Sequence, residues 1–241
     1  MIKTILTLLT LGKLGFVLKT GGTMIISVGV YAFIFGWWYA VGIVLLIFVH
    51  EMGHFVAARQ RGLAVGAPTF IPFVGAWIEL KDQPMNAETE AYIGIAGPIA
   101  GTVAAIFCYW VANTIDSKLW LALAYTGFML NLFNLIPLLP LDGGRITNVL
   151  SPHIWWLGIP ILLALFWVRP SPMLILVALL AAPHAWRAFR GKREDDAPPR
   201  YFETSMRVRI LYGVWYVGLC AFLGFMTYEL HEMLVAKKVG E

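Results

Sequence analysis

Charged residues are scarce in this sequence. Among 241 residues there are 18 Lys and Arg and 14 Asp and Glu, together 13% of the chain, whereas 59% of the residues are apolar. A soluble domain of this size carries about twice that share of charge, and the mean hydropathy is +0.74. The composition therefore excludes an ordinary soluble globular protein. We expect the lipid bilayer among the partners of this chain, and no nucleic acid.

Cysteine is also nearly absent, with two residues in the whole chain. Cys108 and Cys220 lie in apolar stretches far apart in sequence, where a cysteine behaves as a small hydrophobic side chain. We interpret both as packing residues rather than as a disulfide or as metal ligands.

Long apolar runs, in contrast, recur along the chain. Several reach the roughly 20 residues that a helix needs to cross a bilayer, and shorter ones fit tilted, kinked or paired helices. The runs lie at residues 25–36, 39–58, 92–111, 119–139, 154–168, 173–186 and 210–228. The sequence predicts an α-helical integral membrane protein with about six transmembrane helices, forming a single membrane domain over residues 1–241.

The basic residues are grouped, and their placement predicts an orientation. They precede the first run at positions 3–19, follow the second run at Arg59 and Arg61, and cluster again at 187–193. Because cytosolic loops of membrane proteins carry an excess of Lys and Arg, we place all three groups in the cytosol, at the inner face of the plasma membrane. Residues 187–207 are then a cytosolic charged linker.

The segment His50-Glu51-Met52-Gly53-His54 carries the clearest chemical pattern. Residues four apart lie on one face of a helix, so both imidazoles can reach one Zn²⁺ ion while Glu51 projects beside them as a general base. The basic residues that follow place this motif toward the cytosolic end of its helix. The pattern indicates hydrolytic chemistry inside a membrane protein.

A catalytic zinc usually has three protein ligands and one open position, so one ligand remains to be found. The strongest candidate is Asp142, because a carboxylate at membrane depth costs roughly 2.5–3.5 kcal/mol and needs a partner. Around it, Pro137 and Pro140 break the helix, and such backbone persists only against protein or a water-filled cavity. Asn134 could donate its amide to a peptide carbonyl or to the developing oxyanion. A merely kinked span is the alternative reading of this segment.

The remaining histidines lack this context. For His153, His184 and His231 we favour interfacial, packing or solvated roles over metal binding.

These residues resemble the site-2 protease family of intramembrane zinc metalloproteases. The resemblance rests on the two-histidine helix, on Ala96-Gly97-Pro98, and on the Asn-x-x-Pro-x-x-Pro-x-Asp-Gly-Gly segment at 134–144, and it covers a catalytic core at about residues 40–150. It implies one Zn²⁺ bound by His50, His54 and Asp142, with Glu51 as the base. Many relatives carry Asn where Gly101 stands, so a polar contact from that position is not carried over, and no stretch resembles a PDZ domain.

Residues 67–80, between the zinc helix and the next run, are rich in strand formers and contain Pro and Gly. We interpret them as a short β-hairpin or re-entrant segment, in agreement with the β element of the family. A substrate helix must unwind before it is cut, and a β-edge can capture the unwound strand by backbone pairing, which makes Phe73, Val74, Gly75 and Ala76 candidate substrate-binding residues. A loop that only packs against the bundle is the alternative.

Gly94, Gly97 and Gly101 follow at three- and four-residue spacing, which predicts close packing against another helix.

Together these patterns predict an intramembrane zinc metalloprotease that hydrolyses peptide bonds of transmembrane or membrane-proximal segments. Two alternatives remain: a zinc enzyme acting on a lipid-linked substrate, and a multi-span transporter or structural protein whose zinc only ties helices together. The open coordination position argues against the last, since structural zinc sites usually have four protein ligands.

Overall fold

The computed structural model describes residues 2–73, 75–78, 84–151, 153–168, 170–189 and 200–239. Over these residues the chain forms eight α-helices, one 3₁₀ helix and one two-stranded sheet. In chain order the elements are α1 (Ile2–Phe35), α2 (Trp37–Gln60), β1 (Thr69–Ile71), β2 (Gly75–Trp77), α3 (Ala87–Thr114), α4 (Lys118–Asn134), α5 (Asp142–Thr147), the 3₁₀ helix (Ile154–Leu157), α6 (Gly158–Val168), α7 (Pro172–Phe189) and α8 (Met206–Val239). Residues 190–199 of the predicted linker lie outside the described residues.

Four helices are long and apolar enough to cross a membrane, judged by length and composition over the described part of the chain. They are α2, α3, the Gly15–Phe35 part of α1 and the Met206–Ala236 part of α8. The 17 residues of α4 make a helix about 26 Å long. Shorter apolar helical stretches lie at Ile154–Val168 and Leu174–Trp186. The predicted helical membrane architecture is therefore confirmed, whereas the predicted number of six spans is not.

The local sequence explains where α3 begins. Asn86 precedes the helix in an extended conformation, and its side-chain oxygen accepts a hydrogen bond from the Thr89 N–H at 2.8 Å. Glu88 and Glu90 lie in the first turn, where negative charge complements the helix dipole. These residues fix the start of α3, which packs against α2, α4 and α5.

Three glycines on successive turns of α3 let other elements approach its backbone closely. A Cβ atom added at Gly94 would lie 3.2 Å from side-chain atoms of α5, one at Gly97 would lie 2.2 Å from His54 of α2, and one at Gly101 would lie 2.3 Å from Asn131 of α4. The close packing predicted for these glycines is confirmed. It brings α2, α4 and α5 together around one helix.

The segment between α2 and α3 contains the predicted β-hairpin. β1 and β2 are antiparallel, with Phe70 paired with Ala76. The connecting turn uses positive φ angles at Phe73 (63°) and at Gly75 (115°), the second of which glycine adopts without strain.

Helix α1 holds the β1 side of this hairpin. The Phe70 N–H donates to Thr23 Oγ1 at 3.1 Å, and the Phe73 N–H donates to the Tyr31 hydroxyl at 2.9 Å. The Tyr31 and Phe73 rings also meet edge to face, with centroids 5.3 Å apart. The hairpin is thereby attached to α1 through backbone N–H groups that do not hydrogen-bond to β2.

Between α4 and α5, residues 135–141 leave the helical path, as the prolines in this segment predict. The chain turns back on itself here, because a Cβ atom at Gly143 would lie 2.1 Å from the Leu135 carbonyl oxygen. No side chain fits at that position. The result is that Asp142 starts a new short helix pointing toward the bundle.

Helix α8 packs across α4 and the non-helical segment. Its Leu223 and Leu230 are fully buried in the main core, and its Tyr216 hydroxyl donates to the Leu135 carbonyl. α8 therefore supplies a hydrogen bond to a backbone group that the break in the helix leaves without a helical partner.

A polar cluster around Glu90 joins α3, α5 and the chain before α8. Glu90 Oε2 accepts from Asn148 Nδ2 and from the Tyr201 hydroxyl, each at 2.7 Å. Arg145 Nε lies 4.0 Å from the other carboxylate oxygen. This cluster fixes α5, and hence Asp142, against α3.

Candidate metal centre

Three side chains from two distant parts of the chain converge in the bundle. His50 Nε2 lies 3.1 Å from Asp142 Oδ2, His54 Nε2 lies 3.2 Å from Asp142 Oδ1, and the two Nε2 atoms are 3.1 Å apart. All three residues are buried, with relative exposures between 3% and 7%. The one-turn spacing of the histidines on α2 and the break before α5 bring about this arrangement.

The second nitrogen of each imidazole has its own partner. His54 Nδ1 lies 2.7 Å from the Ile93 carbonyl oxygen of α3, and His50 Nδ1 lies 2.8 Å from Asn131 Oδ1 of α4. Because both partners are acceptors, each Nδ1 carries the proton and each Nε2 presents a lone pair. Histidine ligands of metals are usually held in this way.

The donor set fits a cation. Two nitrogen lone pairs and a carboxylate facing one another at 3.1–3.2 Å would repel, and a positive ion among them removes that repulsion. Two imidazoles and a carboxylate match the ligands of catalytic zinc, whose bonds of about 2.0–2.2 Å are compatible with these separations. Among the described residues these three form the one group of His, Cys, Asp and Glu side chains able to hold a metal ion.

Glycine at position 97 is required by this geometry. A Cβ atom there would lie 2.2 Å from His54 Nε2 and 2.3 Å from His54 Cε1. The imidazole therefore lies directly on the α3 backbone, where no larger residue fits.

Glu51 adds a carboxyl group beside the metal ligands. It follows His50 on α2 and is 9% exposed, so most of its side chain is shielded from solvent. The site thus combines a three-ligand metal position with one further acid–base group.

Comparison with known proteins agrees with this chemistry. Residues 38–117 match the model of Peptidase family M50. This match covers a third of the chain and includes His50, Glu51 and His54 but not Asp142.

Similar proteins include the zinc metalloprotease MJ0392 of Methanocaldococcus jannaschii, 34% identical over 120 residues, which are 47% of this chain and 34% of that protein. The protein sll0528 of Synechocystis sp. is 32% identical over 115 residues, covering 45% of this chain and 29% of that protein. The chain thus spans about a third of the length of these curated relatives. Among solved structures, the site-2 protease from Methanocaldococcus jannaschii is similar with a TM-score of 0.47 and 23% identity, covering 70% of this chain and 86% of that one.

The structure brings the predicted zinc ligands His50, His54 and Asp142 together, with Glu51 following His50 on α2. Asn134 is the last residue of α4 and is half-buried, and its role stays a prediction. The same holds for the hairpin residues Phe73, Gly75 and Ala76, whereas Val74 lies outside the described residues.

Asn131 is the site residue that sequence reasoning missed. It is 1% exposed and contacts His50 directly. A signal was present, because a second asparagine one turn before Asn134 in an apolar helix is costly in a membrane unless it has a role.

The other histidines and the two cysteines do not belong to this centre. The His231 ring packs 5.9 Å from the Tyr125 ring, and neither His153 nor His184 belongs to the metal-binding group. Cys108 and Cys220 are not disulfide-bonded, in agreement with their interpretation as packing residues.

Proposed function

We propose that this protein is an intramembrane zinc metalloprotease that hydrolyses peptide bonds of transmembrane or membrane-proximal segments. The observation that carries the proposal is the buried cluster of His50, His54 and Asp142, with Glu51 adjacent to it on the same helix. Three protein ligands leave one position for water or substrate, as in catalytic rather than structural zinc sites.

Zinc bound at this cluster supplies Lewis acidity that polarises the peptide carbonyl and activates water. Glu51 takes a proton from the attacking water as its oxygen bonds to the carbonyl carbon. When the carbon–nitrogen bond breaks, Glu51 returns that proton to the leaving amine. Asn134 donates its side-chain amide to the substrate carbonyl or to the oxyanion that develops from it.

The β2 edge is the part of the hairpin that we propose for substrate pairing. In an antiparallel ladder the N–H and C=O groups of one residue point toward the partner strand and those of the next residue point away from it. The Phe70 N–H faces α1, where it donates to Thr23, so Phe70 and its partner Ala76 form a pair without mutual hydrogen bonds. The Ala76 N–H and C=O accordingly point away from β1, toward the side where an unwound peptide can add as a third strand.

We place the site toward the cytosolic side of the plasma membrane. His54 lies six residues before the end of α2 at Gln60, which corresponds to about 9 Å along the helix. Arg59 and Arg61 stand at this end, and the positive-inside rule puts such residues in the cytosol. The unwound part of a substrate would therefore be cut near the cytosolic interface.

The test measures zinc content and cleavage of a transmembrane peptide by the full chain in detergent, for wild type, Glu51→Gln and Asp142→Ala. We expect Glu51→Gln to retain zinc and lose cleavage, because glutamine cannot carry the proton, and Asp142→Ala to weaken zinc binding. His231→Gln, which removes a histidine outside the cluster, is the matched control and should behave as wild type. Full cleavage by Glu51→Gln would refute the mechanism, and a wild type that binds zinc without cleaving any peptide would favour a helix-tying zinc.

A further inference from the structure

The two histidines of the metal centre are held in different ways. The main chain of α3 holds His54 through the Ile93 carbonyl, whereas a side chain holds His50, through Asn131 Oδ1 at 2.8 Å. His54 thus keeps its partner whatever residue stands at position 93. The orientation of His50, in contrast, depends on the identity of one residue.

The Asn131 amide is oriented by a second hydrogen bond. Its Nδ2 donates to the Gly127 carbonyl one turn earlier on α4, at 2.7 Å. A carbonyl oxygen can only accept, so the nitrogen of the amide must face Gly127 and its oxygen must face His50. These two hydrogen bonds, from Asn131 to Gly127 and from His50 to Asn131, keep the proton on His50 Nδ1 and leave Nε2 free for the metal.

Gly101 provides the space for this amide. A Cβ atom at Gly101 would lie 2.3 Å from Asn131 Oδ1, 2.6 Å from Nδ2 and 2.8 Å from Cγ. Even a methyl group on α3 would therefore collide with the amide. Asn131 is 1% exposed, so it has no solvent-filled space into which to withdraw.

We propose that Asn131 is a positioning residue that holds His50 in its metal-binding orientation, and that Gly101 is paired with it to leave room for the amide. This inference rests on the proposed zinc site and names the residue that orients one of its ligands. Loss of such a supporting partner typically costs 10–100-fold in metal affinity.

An asparagine on α3, in place of the one on α4, could also present an amide oxygen to His50. Within an asparagine, bond lengths place Oδ1 roughly 2.4 Å from its own Cβ. That distance is close to the 2.3 Å between a Cβ at Gly101 and the oxygen of Asn131. An asparagine at position 101 can therefore place its oxygen beside His50, provided that the Asn131 side chain is removed.

The experiment measures the zinc dissociation constant of the full chain in detergent, by competition with a chelator. We expect Asn131→Gly and Gly101→Ala each to weaken zinc binding 10–100-fold, and Gly101→Ala to have no further effect when Asn131→Gly is already present. The decisive pair combines Asn131→Gly with either Gly101→Asn or Gly101→Ala. The first combination should recover most of the affinity and the second should not. Both share the same backbone change at position 131, so a fold effect of that change cannot produce the difference.

Three outcomes would overturn the inference. Wild-type zinc affinity in Asn131→Gly, with zinc lost in Asp142→Ala, would refute the positioning role and leave the proposed function intact. Equal zinc affinities of the two double variants would refute the claim that an asparagine at position 101 can replace Asn131 as the partner of His50. A wild type that binds no zinc would refute the proposed function and this inference together.

Discussion

The close contact between Gly97 and His54 makes Gly97→Ala a direct test of the metal centre. The added methyl group would begin 2.2 Å from His54 Nε2, whereas ordinary van der Waals contact begins near 3.4 Å. The imidazole or the whole of α3 must therefore shift by about 1.2 Å. A metal site tolerates deviations of only about 0.2 Å in its ligand distances, so His54 can no longer share an ion with His50 and Asp142.

The expected loss of zinc affinity follows from the binding free energy that one ligand contributes. Structural zinc sites with four ligands bind with about 10–16 kcal/mol of apparent free energy, or roughly 3 kcal/mol for each ligand. Loss of His54 as a ligand should then weaken zinc binding by about two powers of ten. Cleavage should fall at zinc concentrations that saturate the wild type and recover in part when zinc is raised.

The assay is chelator competition on the full chain, with Gly218→Ala as the matched control. Gly218 also lies in an apolar helix, and a Cβ atom there would have no heavy atom within 4 Å, so the control should bind zinc as wild type does. If Gly97→Ala binds zinc as tightly as the control, then His54 does not ligate the metal in the arrangement described above.

Three further predictions concern the metal, the hairpin and the Glu90 cluster. Zinc at 100 times its dissociation constant should stabilise the wild type by about 2.7 kcal/mol, seen as a higher unfolding temperature; the same rise in Asp142→Ala would contradict the assigned ligands. Ala76→Pro removes an N–H that points away from β1, which an edge strand tolerates, so cleavage should fall while zinc affinity stays unchanged; unchanged cleavage would exclude pairing at this edge. Glu90→Ala removes the acceptor of two part-buried hydrogen bonds to a carboxylate and should destabilise the fold by about 1–3 kcal/mol in chemical unfolding. Glu203→Ala, which removes an exposed ion pair, should cost well under 1 kcal/mol, and equal losses would argue against the cluster.

The sequence predicts the two histidine ligands because their four-residue spacing determines their relative position on a helix. Residues four apart on a helix must share a face, and a buried carboxylate in an apolar chain requires a partner. Prolines and glycines likewise mark the hairpin and the non-helical segment, because their backbone limits act locally. These features needed no knowledge of which helices are neighbours.

The features that sequence reasoning missed depend on packing between helices. The contact of Asn131 with His50 exists because Gly101 lets α4 approach α3, and no local pattern in either helix specifies that approach. The predicted count of six spans, which is not confirmed, depends on packing in a related way. The apolar run at 119–139 reads as one spanning segment, but its last residues form the non-helical turn, and the helix within it has 17 residues.

The division of the metal ligands along the chain has a consequence for biosynthesis. His50 and His54 are made about ninety residues before Asp142, and α3 and α4, which hold their imidazoles, are made in between. A nascent chain that ends before position 142 can therefore orient both histidines but lacks the carboxylate. Metal capture therefore has to wait until α5 has been made and has packed against α3, so the nascent chain lacks the third ligand throughout the synthesis of α1 to α4.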